Sequence, residues 1–261
     1  MSQGTALARE QATGRYPIEA FLADIAGIDW TMDATDLKRR SRDYYWYSPI
    51  LNEELKDKLA DVVVTPKDEG EVVRVAAACA KHRIPLTPRG GATGNYGQCV
   101  PMDGGIVLDM AAFNKIEWQK PGKIRVQAGA KLWDIDAATR PNGWELRMHP
   151  STKRSAQIGG FVAGGSGGAG SVTFGGLREP GNILAARIVT LEETPRVIEL
   201  RGDAAQKISR AYGTTGMGGS FGFADPTTGF GFAYVMNRLG MSIMSDIRCR
   251  KLYRAVFAPT S

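Results

Sequence analysis

Residues 61–95 read DVVVTPKDEGEVVRVAAACAKHRIPLTPRGGATGN, and this stretch decides the fold. Asp61–Thr65 is a run of β-branched residues and predicts a strand. Pro66–Glu69 is a turn with helix-start character. Glu71–His82 (EVVRVAAACAKH) sets its apolar residues on one helical face. Ile84–Thr87 is a second short strand, and it runs into the loop Pro88–Gln98 (PRGGATGNYGQ). Gly105–Asp109 (GIVLD) is a third. This β-α-β unit carries a glycine-rich loop at the C-terminal end of a strand, which is where ligands bind in open α/β sheets.

Downstream, Ile124–Ala128 predicts a strand and Lys131–Thr139 a helix, with a turn at Asn142–Gly143. A second glycine-rich segment, His149–Gly176, follows. Ile183–Leu191 and Arg196–Leu200 predict an antiparallel pair joined by Glu192–Pro195. Upstream, residues 17–29 predict a short amphipathic helix. Residues 36–47 (DLKRRSRDYYWY) mix Lys38, Arg39, Arg40 and Arg42 with aromatics. That pattern fits either a nucleic-acid surface or a solvated basic face whose aromatics pack onto the next domain. The expected class is α+β: a small parallel β-α-β part, a larger and mainly antiparallel sheet with helices, and no internal repeat.

The chain has 261 residues, 43% apolar and 23% charged, which excludes a disordered chain. That length fits one domain with an appendage or two small ones. Glycine accounts for 32 residues, against a usual share of about 7%. Nine of the eighteen residues from Gly159 to Gly176 are glycine, and no G-X-Y period makes them collagen-like. The net charge of +6 suits an anionic ligand without demanding nucleic acid. Cys79, Cys99 and Cys249 have no metal-binding spacing, their odd number argues against a disulfide framework, and there are only two histidines. No metal site is expected. No apolar leader or membrane-length apolar run is read, so the expected compartment is the cytoplasm.

In the first loop, Arg89, Gly90, Gly91, Thr93, Gly94 and Asn95 stand together. Without Cβ atoms, successive N–H groups can point inward as a nest for a pyrophosphate, with Thr93 and Asn95 adding donors. The simpler reading is a plain turn. In the second segment, Gly165–Gly170 (GSGGAG) is a formal G-x-G-x-x-G. A Rossmann fingerprint needs a helix straight after it, whereas Thr173–Gly176 and Pro180–Gly181 are helix-breaking, and no P-loop pattern occurs. A flexible linker would not need the interleaved Ile158, Phe161, Val162, Val172 and Phe174.

Taken with GGIVLDM, VQAGAKLWDID, HPSTKRSAQIGGFVAGGSGGAG, FGGLREPGNILAARIVT and AYGTTG, these residues resemble the PCMH-type FAD-binding domain of the vanillyl-alcohol-oxidase superfamily. The likeness runs over about residues 56–216. It is strongest to the branch of glycolate oxidase subunits and D-lactate dehydrogenases. The resemblance implies FAD held between two subdomains. Arg89, Gly90, Gly91, Ala92, Thr93, Gly94 and Asn95 would cradle the pyrophosphate. Pro150, Ser151, Thr152, Ile158, Gly159 and Gly160 would line the isoalloxazine and ribityl side, with Ser166, Gly167 and Gly168 beside them. Some members attach FAD through a histidine in the first loop. This loop has none, so non-covalent FAD is expected.

Three parts are expected: a helical N-terminal extension (1–55), the FAD-binding domain (56–216) and a tail (217–261). Residues 218–239 predict a hairpin turning at Asp225–Gly229, and Ser245–Phe257 a basic amphipathic helix. This tail resembles the end of β-lactamase-related serine hydrolases. Their S-x-x-K nucleophile motif is missing, because Ser151 is followed by Thr-Lys-Arg. The alternative is a divergent last strand pair of the flavin domain. The leading functional expectation is an oxidoreductase acting on 2-hydroxy acids, without the substrate cap domain of its relatives. His149 and Arg147 are the only nearby candidates for a base, and each reads better as structural. The alternatives are a non-catalytic FAD-binding module, or a hybrid chain with no activity of its own. FAD and a hydroxy-acid substrate are the expected partners; nucleic acid and a membrane are not.

Overall fold

A computed structural model describes residues 15–177, 179–202 and 205 together with the strands 212–215, 221–225 and 230–234. The parallel unit forms as its sequence dictates. Strand β2 (Val62–Thr65) leads into helix α4 (Glu69–His82), strand β3 (Leu86–Arg89) and strand β4 (Ile106–Asp109). Asp68 caps α4 by accepting the Glu71 N–H at 2.8 Å, and Glu71 reaches back to the Lys67 N–H at 2.7 Å. The two bonds satisfy donors that a helix start leaves free. Arg83 ends α4 in the left-handed region at φ 54°.

Before this unit come α1 (Ile18–Asp24), β1 (Asp29–Thr31), α2 (Ala34–Arg40), a 3-10 turn at Tyr44–Tyr47 and α3 (Pro49–Leu55). The sheet order is β1-β2-β4-β3. β2 and β3 both run parallel to β4, while β1 joins β2 antiparallel, so the sheet is mixed. Val62, Val64, Ile106 and Leu108 bury one face against Phe21 of α1, Ile25 just after it, and Val75 and Cys79 of α4. Val63 and Val107 bury the other against Ala60. Each such side chain contributes about 1.5–3 kcal/mol of burial, which is why the central strands are apolar on both faces.

The remaining strands form an antiparallel set divided into separate units. β5 (Ile116–Lys120) pairs with β6 (Lys123–Val126), and β7 (Ala185–Val189) with β8 (Val197–Arg201). Between them lie α5 (Leu132–Thr139), α6 (Ile158–Ala163) and α7 (Ser171–Phe174). Leu132, Met148, Ala156, Phe161 and Leu177 form a second core. The fold is α+β, as expected, but β1, β5, α6 and the turn of helix at α7 differ from the sequence reading. α7 directly follows Gly165–Gly170. At four residues it is too short to serve as the helix of a dinucleotide fingerprint.

β9 (Tyr212–Thr215), β10 (Phe221–Asp225) and β11 (Phe230–Tyr234) form a three-stranded antiparallel sheet. The hairpin expected at 218–239 is therefore present as β10 and β11. The boundary expected at 216/217 runs between two hydrogen-bonded strands, β9 and β10. The helix expected at Ser245–Phe257 lies outside the described residues.

Candidate functional site

The first glycine loop leaves β3 at Arg89 and is anchored from behind. Arg89 donates from Nε to the Arg40 carbonyl at 2.9 Å and from Nη1 to the Gly90 carbonyl at 2.8 Å. Burial lowers the pKa of this guanidinium below its ordinary value, as it does for Arg40. Arg40 is ion-paired with the fully buried Asp109 at the end of β4. Arg39 pairs with Asp36 at 2.5 Å. Two of the four cations in residues 36–47 are thus engaged within the molecule, and Tyr45 is buried. Tyr44, Trp46 and Tyr47 stay exposed, so of the four aromatics only Tyr45 follows the packing reading of this stretch.

Asp43 ties the far end of the loop. Its carboxylate accepts the Tyr45 N–H at 2.8 Å and the Gly97 N–H at 3.0 Å. Burial raises its pKa, and these backbone bonds partly oppose the shift. Tyr44 N–H adds a bond to the Gly94 carbonyl at 2.8 Å. Ala92 stands in the left-handed region at φ 50°.

The second segment is held from α5. Asp136 on α5 is buried and ion-paired with the buried Lys153, and it accepts the Leu146 N–H at 2.8 Å. Pro150–Thr152 turns against these groups, with Lys153 N–H donating to the Pro150 carbonyl at 3.1 Å. The chain then enters α6. Ile158 N–H reaches the Ala130 carbonyl at 2.9 Å, and Gly159 N–H reaches that of Ala128 at 2.8 Å.

The two segments meet here. A Cβ at Gly91 would lie 2.1 Å from the Ser155 carbonyl oxygen, and one at Gly90 would lie 3.1 Å from Gln157 Oε1 and 3.9 Å from Gly160 N. At Gly160 itself a Cβ would meet nothing within 4 Å. Gln157 is 6% exposed, and its Oε1 has no hydrogen-bond partner. Ser166–Gly168 is held elsewhere, against His149: a Cβ at Gly168 would lie 2.2 Å from the His149 carbonyl oxygen. His149 and Ala169 exchange backbone bonds at 3.2 and 3.0 Å. Arg147 donates to the Gly181 carbonyl at 3.3 Å and to Asn182 Oδ1 at 3.1 Å, and its guanidinium lies 5.5 Å from the Phe174 ring centre. Both candidate bases thus hold this segment together.

Of the expected sets 89–95 and 158–160, Gly90 comes near Gly160, while Gly91 closes onto Ser155 and Ala156. Gln157, Asp43 and the Asp136–Lys153 pair were not legible in the sequence. Their partners lie far along the chain or belong to the backbone; only Asp43, just before a run of aromatics, carries a turn-capping signal. A half-buried cation at Arg89 beside bare glycine backbone suits a ligand that carries negative charge. Among the described residues no group of three potential ligand side chains is placed to hold a metal ion, and no helix is long and apolar enough to cross a membrane.

Residues 60–199, more than half of the chain, match the family model described as FAD binding domain. The chain is 32% identical over 133 residues to glycolate oxidase subunit GlcD of Escherichia coli, covering 50% of this chain and 26% of that protein. It is 35% identical over 128 residues to D-2-hydroxyglutarate dehydrogenase of Pseudomonas putida, covering 47% and 12%. It is 31% identical over 118 residues to D-lactate dehydrogenase of Archaeoglobus fulgidus, covering 45% and 26%. The aligned part is thus about a quarter or less of these relatives' lengths. Among solved structures, alkyldihydroxyacetonephosphate synthase superposes with a TM-score of 0.60 at 20% identity, over 72% of this chain and 35% of that one. Physcomitrella patens BBE-like 1 superposes with a TM-score of 0.56 at 18% identity, over 69% and 37%. These two likenesses concern the fold. No finding supports the hydrolase likeness expected for residues 217–261.

Proposed function

The chain belongs to the FAD-binding domain family, and from that premise we propose that it holds FAD non-covalently as the flavin-binding part of an oxidoreductase acting on 2-hydroxy acids. The observation that carries this reading is the meeting of two glycine segments about 65 residues apart. Gly90 and Gly91 close onto Ser155–Gly160 and leave bare backbone at Gly160. Arg89, Gly90, Gly91, Ala92, Thr93, Gly94 and Asn95 would hold the pyrophosphate, whose charge the half-buried Arg89 complements. Pro150, Ser151, Thr152, Ile158, Gly159 and Gly160, with Ser166, Gly167 and Gly168, would form the wall beside the ribityl chain and ring. Residues 88–98 contain no histidine to form a covalent link.

When bound, FAD supplies the two-electron acceptor for oxidation of a 2-hydroxy acid to a 2-oxo acid. This chain's own residues bind and orient it. Asp43 and Arg89 fix the first loop, and the Asp136–Lys153 pair fixes the second. The substrate class rests on the names of the relatives. A second reading, that the chain binds FAD without turning over substrate on its own, is favoured by Arg147 and His149, the two candidate bases, both being engaged in holding the second segment.

The test is the visible spectrum of the purified chain, before and after adding FAD. A protein-bound flavin band is expected. A folded protein that takes up no FAD overturns the proposal. Anaerobic bleaching of the band by glycolate, D-lactate or D-2-hydroxyglutarate supports the oxidoreductase, whereas a band that none of them bleaches supports the second reading.

A further inference from the structure

We infer that the aromatic turn Tyr44–Tyr47, with the cations just before it, is a docking surface for an anionic lipid bilayer. The inference is independent of the FAD-binding reading and goes beyond it. The turn lies between α2 and α3, outside residues 60–199 that the family model matches. It is fixed from beneath. Asp43 is buried and accepts the Tyr45 N–H, and the Tyr45 ring is buried with Leu51, Leu55 and Val100. The Tyr45 hydroxyl donates to the Leu55 carbonyl at 3.3 Å, and the buried Ser48 caps α3 by accepting the Leu51 N–H at 3.3 Å. These anchors leave the other three rings outside. Tyr44 is 40% exposed, Trp46 47% and Tyr47 54%, and Ile50 in the first turn of α3 is 51% exposed. The sequence predicts no membrane partner, because it does not show which of these rings are buried.

Single exposed apolar side chains are ordinary, whereas a contiguous cluster marks a contact surface. The three rings form one cluster: Trp46 stacks on Tyr47 with centres 4.1 Å apart, and Tyr44 stands 6.2 Å from Trp46 and 6.1 Å from Tyr47. That arrangement selects the occupant. Single-stranded nucleic acid stacks its bases on open ring faces, and Trp46 and Tyr47 each spend a face on the other. A bilayer interface takes Trp and Tyr as apolar bodies with polar tips at headgroup level and needs no stacking. Charge points the same way. Arg39 and Arg40 are paired with Asp36 and Asp109, but Lys38 and Arg42 have no ion-pair partner among the described residues. The acids of α3, Glu53 and Glu54, come after Ile50, and Glu53 is paired with Lys56 at 2.8 Å. Free cations beside interfacial aromatics suit anionic headgroups, and the net charge of +6 adds to the attraction.

The experiment sediments the full chain with vesicles of phosphatidylcholine, with and without phosphatidylglycerol, at low and high salt. Wild type is expected to bind the vesicles that contain phosphatidylglycerol, and to bind less as salt rises. The double variant Trp46→Ala, Tyr47→Ala should lose about tenfold in affinity, from two half-exposed rings that no longer enter the interface. Lys38→Gln should lose about fivefold, the share of one cation near an anionic surface. Brominated lipid should quench the tryptophan emission of wild type, and Trp46→Phe should lose much of that quenching. A wild type that stays in solution overturns the inference, and so does equal binding to both kinds of vesicle or a double variant that binds as wild type does. Retention of single-stranded oligo-dT without vesicle binding, lost in the double variant, assigns the surface to nucleic acid instead. Self-association lost in that variant, again without vesicle binding, assigns it to a second copy of the chain; either result overturns the inference. If the double variant does not fold, Trp46→Phe decides, and unchanged quenching overturns the inference. A chain that binds vesicles but takes up no FAD overturns only the function proposed above.

Discussion

A methyl group at Gly91 would sit 2.1 Å from the Ser155 carbonyl oxygen, whereas one at Gly160 would meet no atom within 4 Å. The two glycines have different physical reasons, which a sequence cannot distinguish. Gly91, with Gly159 against Ala128 and Gly170 against the Arg147 carbonyl, lets protein backbone approach protein backbone. Gly160 faces open space. Gly91→Ala is expected to cost about 1–3 kcal/mol of stability by overpacking. Gly160→Ala lies within α6, where alanine gains about 0.5–1 kcal/mol over glycine. It should leave the flavin-free protein as stable as wild type or more so, yet weaken FAD binding by covering the bare backbone proposed to face the cofactor. Urea unfolding and FAD titration of both variants read this contrast. Undiminished FAD affinity in Gly160→Ala would remove Gly160 from the cofactor wall.

At the scale of elements, the parallel unit was legible because its central strands, β2 and β4, are apolar on both faces and its helix carries a cap and a 3.6-residue stripe. α6 was not. Its sequence, IGGFVA, has two adjacent glycines and poor helix propensity. It forms because Ile158 and Gly159 N–H groups are taken by the Ala130 and Ala128 carbonyls and Phe161 is buried, so tertiary contact overrides local preference. The pair that steadies its approach, Asp136 with Lys153, was equally hidden, because 17 residues separate the partners. Lys153→Met would leave the Asp136 carboxylate buried with the Leu146 N–H at 2.8 Å and Arg140 at 3.5 Å. Breaking a buried pair on one side costs about 3–5 kcal/mol. Adding Asp136→Asn should recover part of that loss, because the two substitutions share one interaction. Chemical denaturation of the two single variants and the double variant measures the coupling. Additive losses would show that the pair does not act as a unit.

Over the whole molecule, an ion-pair network joins the parallel layer to the antiparallel pairs. Arg187 on β7 pairs with Glu69 in the first turn of α4, and Arg125 on β6 reaches Glu117 on β5 at 2.7 Å and Glu199 on β8 at 3.1 Å. Glu199 also meets Arg187 at 3.9 Å and pairs with Arg201. This arrangement was illegible in the sequence, partly because β5 (IEWQK) lies mostly exposed and shows no alternation of burial. Its contribution depends on charge. The hydrogen bond from Arg125 comes first in holding the Glu199 carboxyl below its ordinary range, with the charges of Arg201, Arg125 and Arg187 adding to it. The hydrogen bond from Arg187 acts likewise on Glu69. A carboxyl held low in the folded state adds stability above its ordinary pKa, and that stability is lost as the pH falls through the lowered value. Glu199→Gln should therefore lower the melting temperature near pH 7. The difference from wild type should fade as the pH drops below the carboxylate range, where Glu199 is neutral in both states. It should also shrink from about 0.05 M to about 1 M salt, as screening shortens to about 3 Å. Thermal melts over pH and salt test both trends. A loss that persists unchanged in acid would show that Glu199 acts through packing rather than charge, and that the layers are joined by burial alone.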